Sequence, residues 1–208
     1  MRDKLIIYGA GGFGKEILAL AEKKYKVLGF IDDIVDGTVI GEYEVIGNCE
    51  WLLKRTHLTN VVVCIANVYT RKKIVERLKE NNNIVFPTII ADSVKTSKYN
   101  EIGEGCIICD YSILTVNIKI DDFCIVDVDS TVGHESHINK YVTLYPSVNV
   151  SGNIEIGECT EIGTGSNIIQ KINIGSNVII GAGAVVIRDI PDNCTAVGTP
   201  AKPIKFNK

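Results

Sequence analysis

The stretch Ile156-Gly-Glu-Cys-Thr-Glu-Ile162-Gly-Thr-Gly-Ser-Asn-Ile168 sets the reading of the whole chain. An aliphatic residue recurs at every sixth position. Towards the N-terminus the register runs back through Val150, Leu144, Ile138, Val132, Val126, Ile120, Leu114 and Ile108 to Ile102. Towards the C-terminus it continues through Ile174 and Ile180 to Val186. Fifteen hexads follow one another with no insertion. Four places after each aliphatic residue sits a second, mostly small or branched set, including Cys106, Ser112, Cys124, Ser130, Ser136, Thr160 and Ser166. Glycine often follows the aliphatic residue, as at Gly103, Gly133, Gly157, Gly163, Gly175 and Gly181.

A fixed hexapeptide period is the signature of a parallel β-helix. Residues two apart on a strand share a face, so the aliphatic residue and the small residue two before it both point inward. Two positions remain for a turn. Three strands and three turns close one triangular coil of eighteen residues, and fifteen hexads make five coils. At ~4.8 Å per rung the stack is roughly 24 Å tall. A β-sandwich would also alternate, but its strands vary in length and keep no fixed period.

Ahead of the repeat the chain reads as α/β. Lys4 to Gly9 is a buried strand, followed by Gly9, Gly11 and Gly14 in a GxGxxG pattern and by Ile17, Leu18 and Ala21 at helical spacing. Strand, glycine turn and helix form the context of a phosphate-binding turn. A second strand, Tyr25 to Ile31, ends in Asp32-Asp33, where a ribose-binding carboxylate is expected. This part ends near residue 90, which leaves room for one mononucleotide half rather than the two that a dinucleotide needs. A single nucleotide carrying a small group fits better than NAD. Further on, the pattern predicts a short hairpin over Thr38 to Ile46, a helical piece over Glu50 to Arg55 and a buried strand over Val61 to Ala66 ending at Asn67. It then predicts an amphipathic helix over Tyr69 to Asn81, with Arg71, Lys72 and Lys73 on its solvated side, and a last strand over Ile84 to Ile90. The expected domains are 1–90, 91–191 and a tail, 192–208.

Net charge is −3, divided as +2 over residues 1–90 and −5 over the remainder, and neither part resembles a nucleic-acid surface. No apolar run is long enough for a membrane span. The start lacks the pattern of a secretory signal, and seven scattered cysteines fit a reduced, cytoplasmic setting. Cys106 and Cys109 form a CxxC pair. With no second ligand pair in view, Cys106 reads as core packing and no metal is expected.

The repeat holds two histidines. His134 takes the third place of its hexad, at a turn corner, and His137 takes the sixth, facing outward. With eighteen residues per coil, His134 stacks over Gly152 and under Val116. Gly152 is expected to leave open space and an accessible amide beside the imidazole, a combination that suits a general base next to an acyl group. Glu135 is positioned to orient the ring. No serine–histidine–acid or cysteine–histidine set is legible, so the base would act on the substrate's own nucleophile.

Together these motifs are similar to the hexapeptide-repeat acyltransferases, and within them to the sialic acid O-acetyltransferase (NeuD-like) family with its PglD-type sugar N-acetyltransferases. The resemblance rests on Tyr8-Gly-Ala-Gly-Gly-Phe-Gly14, Gly29-Phe-Ile-Asp-Asp33, Thr70-Arg-Lys-Lys73, Gly133-His-Glu135, Ser151-Gly-Asn153, Gly181-Ala-Gly-Ala184 and Gly198-Thr-Pro-Ala-Lys202. It implies a left-handed helix, acetyl-CoA as co-substrate, a sugar or nucleotide-sugar acceptor in surface-polysaccharide or glycan synthesis, and a homotrimer with acetyl-CoA between subunits. His134 matches the catalytic base and Glu135 the residue that raises its basicity. Gly11, Gly12 and Phe13 match the loop on the phosphates and sugar, Asp32 and Asp33 the acidic pair at the nucleoside, and Ala66 and Asn67 a further contact. Thr143, Gly152, Thr164 and Ala182 match positions along the acetyl-CoA groove, and Lys202 a contact to a CoA phosphate. Phe13 departs from the histidine that the bacillosamine-pathway enzymes carry there, which leans towards a sialic acid type or another sugar and leaves hydroxyl and amine acceptors both open. Two rivals stand beside the acetyltransferase: a non-catalytic sugar-nucleotide-binding scaffold and a nicotinamide oxidoreductase.

Overall fold

The computed structural model describes residues 2–35, 37 and 39–206. The chain divides into two compact units, Met1–Ile89 and Ile90–Lys208.

The first unit is built on β1 (Lys4–Tyr8), α1 (Gly12–Lys24), β2 (Lys26–Ile31), β3 (Val39–Ile40), β4 (Tyr43–Gly47), α2 (Cys49–Leu53), β5 (Thr59–Val63), α3 (Val68–Leu78) and β6 (Ile84–Val85). The sheet order is β3-β4-β2-β1-β5-β6. β1 runs parallel to both β2 and β5, while β3 and β4 form an antiparallel hairpin. The expected start of that hairpin, Thr38, lies outside the described residues. Leu5, Ile6 and Ile7 are fully buried, which explains the unbroken apolar run of a central parallel strand. Ile17 and Ala21 close one side of the sheet from α1, and Val75 and Leu78 are the buried face of α3.

One expectation is corrected here. Arg71 is not on a solvated face; it is 1% exposed, and its Nη1 donates to the carbonyls of Ile65 (2.7 Å) and Ala66 (2.8 Å). Those carbonyls follow the end of β5, where the chain turns into α3 and has no strand partner for them. A buried guanidinium is tolerated because its donors meet these acceptors.

The second unit is a left-handed parallel β-helix with three faces. Two-residue strands stack at Ile107, Ile125, Thr143, Glu161 and Ile179 on the first face. The second face carries Ile113, Thr131, Asn149, Asn167 and Val185, and the third Glu101, Lys119, His137, Glu155 and Asn173. Every pairing joins residues eighteen apart, in parallel. The aliphatic hexad positions from Ile108 to Val186 form one continuous core, and Ile90, Val94 and Ile102 pack against it. The segment after the repeat, expected as a tail over 192–208, adds two strands to the first face: Cys194–Val197 runs parallel to Ile179–Ile180, and Lys202–Phe206 runs antiparallel to Cys194–Val197.

The corners follow the same period. Every sixth residue from Gly105 to Gly183 has φ near +60°. Most carry a side chain, among them Asn117, Asp129, Glu135, Tyr141, Ser147 and Lys171. Left-handed backbone costs such residues roughly 1–2 kcal/mol. Rung-to-rung hydrogen bonds hold it, with Glu135 N–H donating to Val116 O (3.1 Å) and Asn153 N–H to His134 O (2.7 Å).

The inward small residues do more than fill space. Cys106, Ser112, Cys124, Ser130, Ser136, Thr160 and Ser166 each donate to a backbone carbonyl fifteen residues on, at 2.8 to 3.2 Å. Thr160 Oγ1 also accepts from Val178 N–H at 3.1 Å. Each buried polar atom thus ties one coil to the next. All seven cysteines are free and buried, and no group of histidine, cysteine or acidic residues among the described residues is arranged to hold a metal. No helix among the described residues is long and apolar enough to cross a membrane.

Thr160→Val keeps the shape but strands the Gly175 carbonyl and the Val178 N–H. Denaturant unfolding should show a loss of about 1–3 kcal/mol, and an unchanged midpoint would refute the coil-to-coil tie.

Candidate active site

In the first unit the glycine turn separates into two pairs. Gly9 has φ +111°, and a Cβ on Gly14 would collide with the Gly9 carbonyl, so these two residues serve the contact of strand and helix. Gly11 and Gly12 are exposed, and a Cβ on either would meet nothing within 4 Å. They leave the N-terminus of α1 bare, and Gly11, its N-cap, offers no side-chain acceptor to the first-turn N–H groups. Unclaimed donors at the positive end of a helix attract an anion. Phe13 is half-buried in that first turn.

Asp32 and Asp33 hold the end of β2. Asp32 accepts from Ala10 N–H (2.9 Å) through Oδ2, and from Ile34 N–H (2.9 Å) and Val35 N–H (3.1 Å) through Oδ1. Burial pushes its pKa up, but the three N–H donors outweigh this and hold the carboxyl below its usual value. Asp33 accepts from Tyr8 Oη (2.5 Å) and Cys49 N–H (2.8 Å). Burial, and after it the bond to Asp33, raise the Tyr8 phenol. A cavity of about 390 Å³ opens beside these carboxylates, with Ile34, Ile65 and Ile74 as apolar walls and Lys73 at its edge. Asn67 caps α3, its Oδ1 accepting from Thr70 N–H (3.0 Å) and Thr70 Oγ1 (2.9 Å), and the Ala66 carbonyl is held by Arg71. Sequence reasoning missed Tyr8 and Lys73. Tyr8 closes an apolar strand and looked like core, while Lys73 sits among three cations and looked like a wet face. The spacing of Thr70, Lys73, Ile74 and Arg77, one helical face, was the available signal.

In the second unit His134 sits at the corner between the second and third faces, over Gly152. The space there is not open, as expected, but filled by the ring: a Cβ on Gly152 would lie 2.5 Å from His134 Nε2. Gly152 is buried, and its N–H donates to no group among the described residues. Glu135 Oε2 is 3.4 Å from His134 Nδ1, and both side chains are more than half exposed. His137 faces outward, as expected, and its Nε2 meets Asp121 Oδ2 at 3.0 Å beside Lys119.

Thr164 and Ala182 stack at a different corner, between the first and second faces. Gly165 and Gly183 follow them at positive φ, where other corners accept Asn, Ser or Lys, and a Cβ on either would meet nothing within 4 Å. The backbone alone therefore does not call for glycine there; its effect is a smooth corner with the Thr164 and Ala182 N–H groups unclaimed among the described residues. Such a track fits an extended pantetheine arm. The chain after the last coil reaches the second face, where Ala201 N–H donates to Val185 O (2.8 Å), and exposed Lys202 follows. Thr143, by contrast, is 1% exposed, on a strand of the first face rather than at a corner.

A corner histidine over bare backbone on a left-handed hexapeptide helix, carried with a nucleotide-type βαβ unit, defines a hexapeptide-repeat acyltransferase. Residues 4–78 match the PglD N-terminal domain family. The chain is 30% identical to GDP-perosamine N-acetyltransferase of Escherichia coli O157:H7, over 96% of this chain and 95% of that one. It superposes on the acetyltransferase domain of PglB from Neisseria gonorrhoeae FA1090, solved also in complex with acetyl coenzyme A, with TM-score 0.92 and 33% identity over 98% of this chain and 100% of that one. A variant of perosamine N-acetyltransferase from Caulobacter crescentus, in complex with CoA and GDP-perosamine, matches with TM-score 0.91 and 26% identity over 97% of each chain. The chain belongs to the PglD-type sugar acetyltransferases of the hexapeptide-repeat family.

Gly152→Ala should displace the imidazole and cut turnover about 100-fold, the scale of an ångström misplacement, with the fold intact by circular dichroism. Asp32 has a lowered folded pKa, so its stabilising contribution is present above the unfolded value near ~3.9 and is lost as pH falls through the folded value. Asp32→Asn should flatten that acid limb of an unfolding-versus-pH series.

Proposed function

We propose that this chain transfers an acetyl group from acetyl-CoA to the amine of a nucleotide-linked amino sugar, with His134 as general base. The observation that carries this reading is the His134 ring lying over Gly152, with a buried, unclaimed N–H at the same corner. Glu135 faces Nδ1, which favours the tautomer with its proton on Nδ1 and leaves the Nε2 lone pair free. His134 Nε2 removes a proton from the sugar amine as its nitrogen bonds to the thioester carbon, and returns that proton to the departing sulfur. The Gly152 N–H is suited to steady the developing oxyanion. Holding both reactants supplies much of the rate.

The bare α1 N-terminus with Gly11, Gly12 and Phe13 takes the diphosphate and sugar, and Asp32 and Asp33 take the nucleoside. Asn67 and Ala66 shape this region through α3 and Arg71. Thr164, Ala182 and Lys202 take the pantetheine arm and a CoA phosphate. The relatives named for an N-acetyltransferase on GDP-perosamine favour an amine over a sialic acid hydroxyl. The corner of Thr164 and Ala182 and the corner of His134 bound opposite edges of the second face. A donor laid along one corner would meet a histidine on a neighbouring copy, which supports a homotrimer closed by cyclic symmetry.

His134→Ala should lower turnover about 100-fold or more in a thiol-release assay with acetyl-CoA and nucleotide amino sugars. A near-normal rate would sink the base assignment. Absence of thiol release by the native protein across that panel would favour a sugar-nucleotide-binding scaffold.

A further inference from the structure

We infer that the first unit carries a second ligand site, for a small organic anion: a carboxylate or phosphate monoester with an apolar body. It lies at the N-terminal edge of the sheet, where β1 and β5 begin, and it stands independently of the acetyl-transfer reading. A cavity of about 550 Å³ opens there. β1 runs from Lys4 at this cavity to Tyr8 at the cavity beside Asp32 and Asp33. Four steps of extended strand hold the two apart by ~13 Å.

Cations converge on this edge. Arg2, Lys4, Arg55 and His57 line the cavity against one acid, Asp3. Arg2 Nη1 donates to the Glu22 carbonyl (2.6 Å), an uncharged acceptor that leaves the positive charge unbalanced. The Lys4 ammonium and the Arg55 guanidinium make no hydrogen bond or ion pair among the described residues. Arg55 Nε is nevertheless buried, and a buried N–H without an acceptor is rare in a folded chain. An oxygen held by this fork would supply one. The guanidinium lies over the Trp51 ring, 4.7 Å from its centroid, which fixes its plane. A fixed planar fork suits a carboxylate or phosphate, which can accept two parallel bonds. Unpaired like charges also raise the local potential, and an anion lowers it. Beside these cations, half-buried Leu28 and Leu58, which is 75% exposed, offer apolar surface. A bare inorganic ion would leave that surface wet, whereas an anion with an apolar body covers it.

The chain has a single tryptophan, Trp51, so its fluorescence reports on the Arg55 fork. The full chain is titrated with phenyl phosphate, phenylacetate, inorganic phosphate and the neutral 2-phenylethanol, by fluorescence and by calorimetry. At least one aromatic anion should bind about tenfold or more tightly than inorganic phosphate, through burial of its ring. The tighter of the two identifies the head group, and the alcohol should not bind. Arg55→Gln and Lys4→Gln should each weaken the aromatic anion about tenfold, the scale of one hydrogen bond to a charged group. Lys4 is exposed, so its replacement spares the core and leaves Trp51 in place if Arg55→Gln disturbs the ring. Gly11→Asp, which sets a carboxylate at the bare α1 N-terminus, should leave this binding unchanged. No binding of either aromatic anion, or equal binding of the alcohol, would overturn the site. So would loss of binding in Gly11→Asp with both cation variants unaffected, which would place the anion at the α1 N-terminus instead.

Discussion

The structure of the second unit depends on one constraint: every coil must return to the same register after eighteen residues. An aliphatic residue then meets another above and below it at each rung, and the core becomes a stack of equivalent layers. Burial of such side chains is the main favourable term, at about 25 cal/mol per Å². The constraint acts on the corners as well. Each must turn the chain onto the next face within the same few residues, so each uses one left-handed residue, even where that residue is Glu135 or Tyr141. The inward hydroxyls and thiols bond to the carbonyl fifteen residues ahead because the same carbonyl recurs beside the same position in every coil.

Glycines show how one residue type serves three ends. Those after the aliphatic residue, such as Gly133 and Gly163, are needed because the next rung lies too close: a Cβ would stand 2.5 Å from its backbone. Gly165 and Gly183 have open space instead, as do Gly11 and Gly12 on the other unit. The first group is architectural. The second keeps backbone bare where a ligand's phosphates or amide groups are expected to approach. Gly152 belongs to a third kind, since the volume its side chain would take is held by the His134 ring. Smoothness of this sort is invisible as chemistry in a list of reactive side chains.

The legible part of the site followed from period and spacing. His134 and Gly152 were paired by the eighteen-residue coil, and the direction of His137 by its hexad position. Arg71 and Lys73 were not, although the helix bearing them was. Adjacent cations on a helix point in different directions about its axis. Which direction faces the sheet depends on how α3 docks, and so Arg71 went inward to the carbonyls after β5 while Lys73 came to the cavity. Likewise the serines of the repeat were legible as small but not as donors, because their acceptors belong to another coil.

By itself, then, the sequence determined the period, the inward set, the division of the chain into an α/β part and a repeat, and the corner on which His134 stands. Each of these is carried by residue type repeated at a fixed interval, which needs no knowledge of distant contacts. Only the tertiary structure decided that the ring of His134 occupies the space over Gly152, that Asp32 and Asp33 spend their oxygens on backbone and Tyr8, and that Lys73 stands at the edge of the cavity. Those outcomes depend on distances of a few ångströms between segments far apart in the chain, and local pattern carries no record of them.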